Sequence, residues 1–148
     1  MVTPLQIYAL INAVADGGVY FEPYLISGSI DAGGNRNYER ASSGRRVMSV
    51  ATADQLKEMM GLVISQGTGV AAAPAEGVCG GKTATAETGW TDTAGNPGTN
   101  AWFAGFYELG EERYSISVLA EGGNSGSASA APVFQSICNG IAKLQTKE

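Results

Sequence analysis

Eight consecutive residues, Gly80-Gly81-Lys82-Thr83-Ala84-Thr85-Ala86-Glu87, hold the chain's best candidates for chemistry. They place a lysine on a predicted β-strand among residues with almost no side chain. A strand edge of that kind can accept an extended peptide as an added strand, its backbone N–H groups meeting a carbonyl. Lys82 would supply a fixed positive charge beside it. The threonine hydroxyls of Thr83 and Thr85 can bind a carboxylate. The plain alternative is a strand carrying one exposed lysine, because isolated short motifs often match by chance.

A phosphate-binding loop is the obvious competitor, and it fails on spacing. GxxxxGK[ST] needs glycine at position 76, which is Glu76, although Gly77, Gly81, Lys82 and Thr83 come close. Such a loop must also open a helix, whereas Thr83 to Thr93 is threonine-rich, contains Gly89 and shows no helical period.

Absent residue types narrow the chemistry further. The 148 residues include no histidine, which excludes Ser-His-Asp and Cys-His pairs and every histidine-based metal site. Cys79 and Cys138 have no CxxC spacing, so neither a zinc nor a redox motif is expected. Two buried thiols are the favoured reading of this pair, with one disulfide as the alternative. No metal or cofactor is expected. The net charge of −5, without a basic cluster, argues against nucleic acid or an anionic membrane as partner.

The elements that must position Lys82 follow from periodicity. Hydrophobic content of 44% and charged content of 16% suit a globular domain large enough to bury a core. Thr3-Pro4 predicts a helix start, with Leu5, Tyr8, Ala9, Leu10, Asn12 and Val14 inside the helix and Gly17-Gly18 ending it. Being apolar nearly all round, this helix is expected to be buried. Tyr20 to Ile26 is short and broken by Pro23, Ser27 to Ser43 is a turn-rich connection, and Arg45 to Val50 is a candidate strand.

A capping box at Thr52 and Gln55 predicts the second helix, with Leu56, Met59, Met60 and Val63 as its core stripe and Gly67-Thr68-Gly69 as its stop. Strands are predicted over Val78 to Ala86, Ala101 to Leu109 and Tyr114 to Ala120. A loop containing Ala94 to Gly98 joins the first two, and a hairpin at Gly110 to Arg113 joins the last two. Trp102, Phe103 and Phe106 are expected in the core. After the Gly/Ser-rich link Gly122 to Ser129, a last helix starts near Ala131-Pro132, with Val133, Phe134, Ile137, Cys138 and Ile141 as its stripe. Grouped strands with helices outside them predict an α+β fold, an antiparallel sheet flanked by helices. No domain boundary or internal repeat is visible across 1–148.

The order of these features resembles the transpeptidase domain of penicillin-binding proteins, most closely the monofunctional class B type. Thr3-Pro4-Leu5-Gln6 with its helix ending in Gly17-Gly18, then Pro23, is similar to the stretch that follows the family's second motif. Met59-Met60 through Val63, the Gly67-Thr68-Gly69 loop, and Lys82-Thr83-Ala84-Thr85-Ala86-Glu87 match as well. So do Ala101-Trp102-Phe103-Ala104-Gly105-Phe106 and Ala131-Pro132-Val133-Phe134. The likeness covers nearly the whole chain and implies the penicillin-binding protein/β-lactamase-like fold.

That family carries three motifs: SxxK with the acylated serine, SxN, and KTG on a strand bordering the cleft. Only the third is present, as Lys82-Thr83-Ala84; no SxxK or SxN occurs in the chain. The resemblance therefore implies the C-terminal part of such a domain, expected to be inert alone, with Met1 added. It implies that Lys82 tunes the cleft beside the substrate carboxylate and that Thr85 binds that carboxylate and lends its N–H to an oxyanion hole. The Thr83 hydroxyl is expected to pack behind the strand. Ala84 replaces the usual glycine, and its methyl would narrow the approach to the strand.

The parent protein implied is a serine-type D,D-transpeptidase that cross-links peptidoglycan stem peptides and is acylated by β-lactams. It would be anchored in the bacterial cytoplasmic membrane, with this domain on the outer side, and these 148 residues alone would be soluble. A non-catalytic peptide-binding or scaffold module of cell-wall synthesis is the competing reading. In the family fold further strands lie beside Tyr114 to Ala120, so that edge is expected to be exposed and to promote self-association.

Overall fold

The computed structural model describes residues 2–38, 42–91, 93 and 95–145. Glu39 to Ala41 of the turn-rich connection, Ala94 of the predicted strand loop, and Met1 lie outside the described residues. Helix α1 spans Pro4–Ala15 and starts as the sequence predicts. The Thr3 hydroxyl accepts from the Gln6 amide at 3.2 Å, and the Gln6 side chain accepts from the Thr3 amide at 2.9 Å. This reciprocal cap satisfies two otherwise orphaned donors. Gly17 and Gly18, both at positive φ, carry the chain out of the helix.

Four short strands follow: β1 (Val19–Tyr20), β2 (Gly28–Ile30), β3 (Arg36–Tyr38) and β4 (Arg45–Arg46). β1 pairs antiparallel with β4, and β2 with β3. The predicted turn-rich connection thus holds a small hairpin. Its turn is tied by the Asp31 carboxylate, which accepts from the Gly33 and Asn35 amides and the Asn35 side chain. These bonds, the Asn35 side chain first, hold the Asp31 carboxyl below its ordinary value. The strand predicted over Arg45 to Val50 is only two residues long, because Val50 already opens helix α2.

Helix α2 spans Val50–Gln66, and its cap is Ser49 rather than Thr52. The Ser49 hydroxyl accepts from the Thr52 amide at 3.1 Å, which puts Thr52 inside the first turn. Gly67 ends the helix as expected.

Three long antiparallel strands form the sheet: β5 (Val78–Thr91), β6 (Pro97–Leu109) and β7 (Glu112–Glu121), in the order β5-β6-β7. Each runs past the predicted limits. A short π-type turn over Gly126–Ala130 then leads into helix α3, Ala131–Gln145.

Side-chain alternation along β6 builds both cores. Ala101, Phe103 and Tyr107 join Phe134 and Cys138 of α3, with Ile64 and Ala72, on one face. Ala104 and Phe106 join Ile11 and Ala15 of α1 on the other, with Met60 of α2 packed beside them. The fold is α+β, an antiparallel sheet covered by helices on both faces.

Several predicted core positions are not buried. Leu5 and Leu10 of α1 are about half exposed, because only the face carrying Ala9, Ile11, Ala13, Val14 and Ala15 is covered. Met59 lies on the outer side of α2, whose buried residues are Ala53 and Ile64. In α3 the buried row is Ala131, Phe134, Cys138 and Ala142, leaving Val133 and Ile137 toward solvent. Phe103 and Phe106 are buried as predicted, whereas Trp102 is only half-buried.

Cys79 and Cys138 are both free thiols. Cys79 packs against the cluster that contains Cys138. Burial pushes Cys79 up to about 11 and Cys138 up to about 12, so both are protonated at neutral pH. An unfolded thiol ionises from the ordinary value of 9.0, whereas the folded ones do not. Folding stability is therefore expected to fall as pH rises above about 9 and to be unaffected by these groups below it. Native iodoacetamide labelling at pH 8, read by mass spectrometry, should be slow at Cys79 and slower still at Cys138, with denaturant exposing both. Rapid native labelling of Cys138 would contradict this burial.

Candidate functional site

Lys82, Thr83, Ala84 and Thr85 lie on β5, which among the described residues pairs with β6 alone. Its register is regular here, with Lys82 opposite Ala104, Thr83 opposite Phe103, Ala84 opposite Trp102 and Thr85 opposite Ala101. Among the described residues no strand borders the outer edge of β5. That row of backbone groups can accept an extended peptide.

Glycines just ahead of Lys82 fix how closely the layers meet. A Cβ at Gly80 would come within 2.6 Å of the Phe106 ring, and one at Gly81 within 2.5 Å of the Phe103 ring. The two rings therefore lie on bare backbone. Gly80 and Gly81 serve packing between β5 and β6, a role their place beside a lysine does not announce.

Alternation sends Lys82 and Ala84 to one face of the strand and Thr83 and Thr85 to the other. Lys82 is exposed, and its Nζ donates to the Thr83 carbonyl at 2.7 Å. Thr83 is turned inward, 8% exposed, and its hydroxyl shares a hydrogen bond with the Thr68 hydroxyl at 2.6 Å. Thr68 belongs to the Gly67-Thr68-Gly69 loop after α2, so this bond ties that loop to the candidate strand. The Thr85 hydroxyl accepts from the Gly126 amide at 3.3 Å and keeps its own proton free to donate. Lys82 and Thr85 are both accessible, but their side chains leave opposite faces and do not converge on one point.

Two residues missed in sequence complete the support. Thr68 reads only as a helix stop, and no local signal couples it to a residue fifteen positions later. Gly126 reads as part of a linker. It is buried, and a Cβ there would lie 2.5 Å from the Trp102 carbonyl and 2.8 Å from both the Ala84 amide nitrogen and carbonyl oxygen. Only glycine lets the entry to α3 rest on the strand at Ala84. Among the described residues, no group of three or more His, Cys, Asp and Glu side chains could hold a metal ion.

Residues 1–139 match the family described as penicillin binding protein transpeptidase domain. The chain is 31% identical over 159 residues to penicillin-binding protein PbpB of Mycobacterium tuberculosis, covering 91% of this chain and 22% of that protein. It is 33% identical over 105 residues to penicillin-binding protein 1F of Bacillus subtilis, covering 71% of this chain and 14% of that one. Among solved structures, penicillin binding protein 3 of Mycobacterium tuberculosis complexed with ampicillin superposes with a TM-score of 0.80 at 27% identity. That match covers 98% of this chain and 35% of the other. The chain thus spans under a quarter of the length of these two curated relatives.

The contact at Gly126 yields a mutational expectation. Gly126→Ala puts a methyl against three backbone atoms that cannot swing aside, an overpacking cost of about 1–3 kcal/mol. The urea midpoint should fall accordingly, with the slope unchanged. A midpoint equal to that of the parent would show that α3 does not need this close approach.

Proposed function

Since this chain belongs to the penicillin-binding protein transpeptidase family, we propose that it supplies the cleft strand of a serine-type D,D-transpeptidase that cross-links peptidoglycan stem peptides. The observation that carries this reading is β5, a strand with no partner on its outer side among the described residues, which carries the exposed Lys82, Ala84 and Thr85. A stem peptide would add along that edge. Lys82 would supply a fixed charge on one face of the strand, and from the other face the Thr85 hydroxyl would donate to the peptide's carboxylate.

The nucleophile comes from residues outside these 148, since no SxxK or SxN occurs among them. The serine hydroxyl attacks the donor carbonyl, the terminal residue leaves, and an amine of a second stem peptide resolves the acyl-enzyme. The Thr85 N–H would serve as one half of the oxyanion hole, where one donor contributes about 3 kcal/mol to lowering the barrier. The serine's own N–H would be the other half. On this reading the chain alone is inert. The related structure described as complexed with ampicillin supports β-lactams as ligands of the complete domain.

β7 also pairs only with β6 among the described residues, which would leave its outer edge open to a second chain. The parent would act on the outer side of the cytoplasmic membrane, where peptidoglycan is. Among the described residues, no helix is long and apolar enough to cross a membrane.

Intact-mass spectrometry after incubation with penicillin tests the proposal on this chain and on one extended at its N-terminus through SxxK. The short chain should carry no adduct and the extended chain one per molecule. An adduct on the short chain would reveal a nucleophile within it; none on either would favour a non-catalytic peptide-binding module. In the extended chain, Ala84→Gly should change the acylation rate by opening the approach to β5. An unchanged rate would remove any role for that methyl.

A further inference from the structure

Beyond Thr85 the sheet ends in a trough of about 840 Å³ holding both of the chain's tryptophans. Ala86, the residue after Thr85, lines its near end, so the trough continues the candidate strand. Its most unusual member is Trp90, 79% exposed. It does not stand alone: Val2, Trp102 and Leu119 line the trough with it, and a contiguous apolar patch of this kind marks a contact site.

Local structure holds Trp90 there. Pairing between β5 and β6 shifts register between Glu87 and Thr91, and Gly89 takes a φ of +76° inside the irregularity. Bulges re-aim side chains, and they recur beside functional sites. The Thr88 hydroxyl clamps the distortion, donating to the Gly98 carbonyl at 3.1 Å and accepting from the Trp90 amide at 3.2 Å. Trp102, half-buried, lines the trough with it.

The polar groups of the trough define what fits. Asn100, Glu87 and Glu121 line it, and among the described residues their side chains make no hydrogen bond or ion pair. Among the described residues, no lysine or arginine lines it, which disfavours an anionic ligand. Exposed indole faces with an amide and carboxylates suit a neutral chain that shows C–H faces and hydrogen-bonding edges at once. We propose that this trough binds an N-acetylated, β-linked glycan, with Trp90 stacking on a sugar ring and Asn100 pairing with an acetamido group. The inference deepens the transpeptidase reading and rests on it for its substrate: the glycan strand to which the stem peptide at β5 is attached.

Because the chain has only two tryptophans, both in the trough, their fluorescence reports on this site alone. Titration with the β-1,4-linked N-acetylglucosamine tetramer should give a saturable change at millimolar sugar. Trp90→Ala, read through Trp102 by fluorescence and amide NMR shifts, should weaken binding by at least about tenfold, as loss of an aromatic anchor does. A glucose tetramer lacking acetamido groups should bind more weakly. No saturable change, equal binding of the two tetramers, or undiminished affinity in Trp90→Ala would overturn the proposal. So would a Trp90-dependent dimer that the sugar does not disturb. Penicillin acylation of the extended chain involves no glycan, so either reading can fail without the other.

Discussion

The rings of Phe103 and Phe106 rest on the backbone of Gly81 and Gly80, and the placement of Lys82 depends on that contact. No side chain can stand at either glycine without striking a ring carbon. The two rings leave opposite faces of β6, so each glycine opens room on one face. On one side Phe103 meets Phe134 of α3, with ring centroids 4.7 Å apart. On the other, Phe106 meets α1, and Lys57 of α2 lies over its ring at 5.1 Å. A single pair of small residues on the edge strand thus lets three helices close on the sheet. Where the glycines stop, β5 emerges as a strand with a usable edge.

Hydroxyl and backbone contacts then hold that edge in place. Thr83 faces inward to Thr68, which binds the loop after α2 to the strand. From the same strand, Thr85 reaches the Gly126 amide at the entry to α3. The residues of the motif therefore divide the labour: Thr83 anchors, while Lys82, Ala84 and Thr85 stay accessible. The strand's position is thus set by elements on both sides. Lys82 donates along the same edge to the Thr83 carbonyl.

Much of this was legible in the residues themselves. Alternating apolar and small polar residues in Tyr114 to Ala120 announce β7, and Thr3-Pro4-Leu5-Gln6 announces the cap of α1, because both patterns are local. The extents of β5 and β6 were less legible. β5 runs on to Thr91 through Thr88, Gly89 and Trp90, residues that read as a loop and are held in the sheet by the Thr88 bonds to Gly98 and Trp90. Helix faces were misjudged for a related reason. Met59, Val133 and Ile137 have the composition of a core stripe, yet the packed rows run through alanines and Cys138. Small residues let α3 approach the sheet closely, and hydropathy alone underrates them.

By itself, the sequence determined the α+β class, the order of the main helices and sheet strands, and a lysine-threonine strand without a serine nucleophile nearby. Those properties follow from period, cap chemistry and the presence or absence of residue types. Tertiary structure alone decided that Thr83 is an anchor, that Gly80 and Gly81 accommodate rings, and that Gly126 lies against Ala84. It also decided that the tryptophans, twelve residues apart, line one trough. The physical reason is distance along the chain. Contacts made across the sheet depend on register and on which element covers each face, and neither is encoded in a residue's near neighbours.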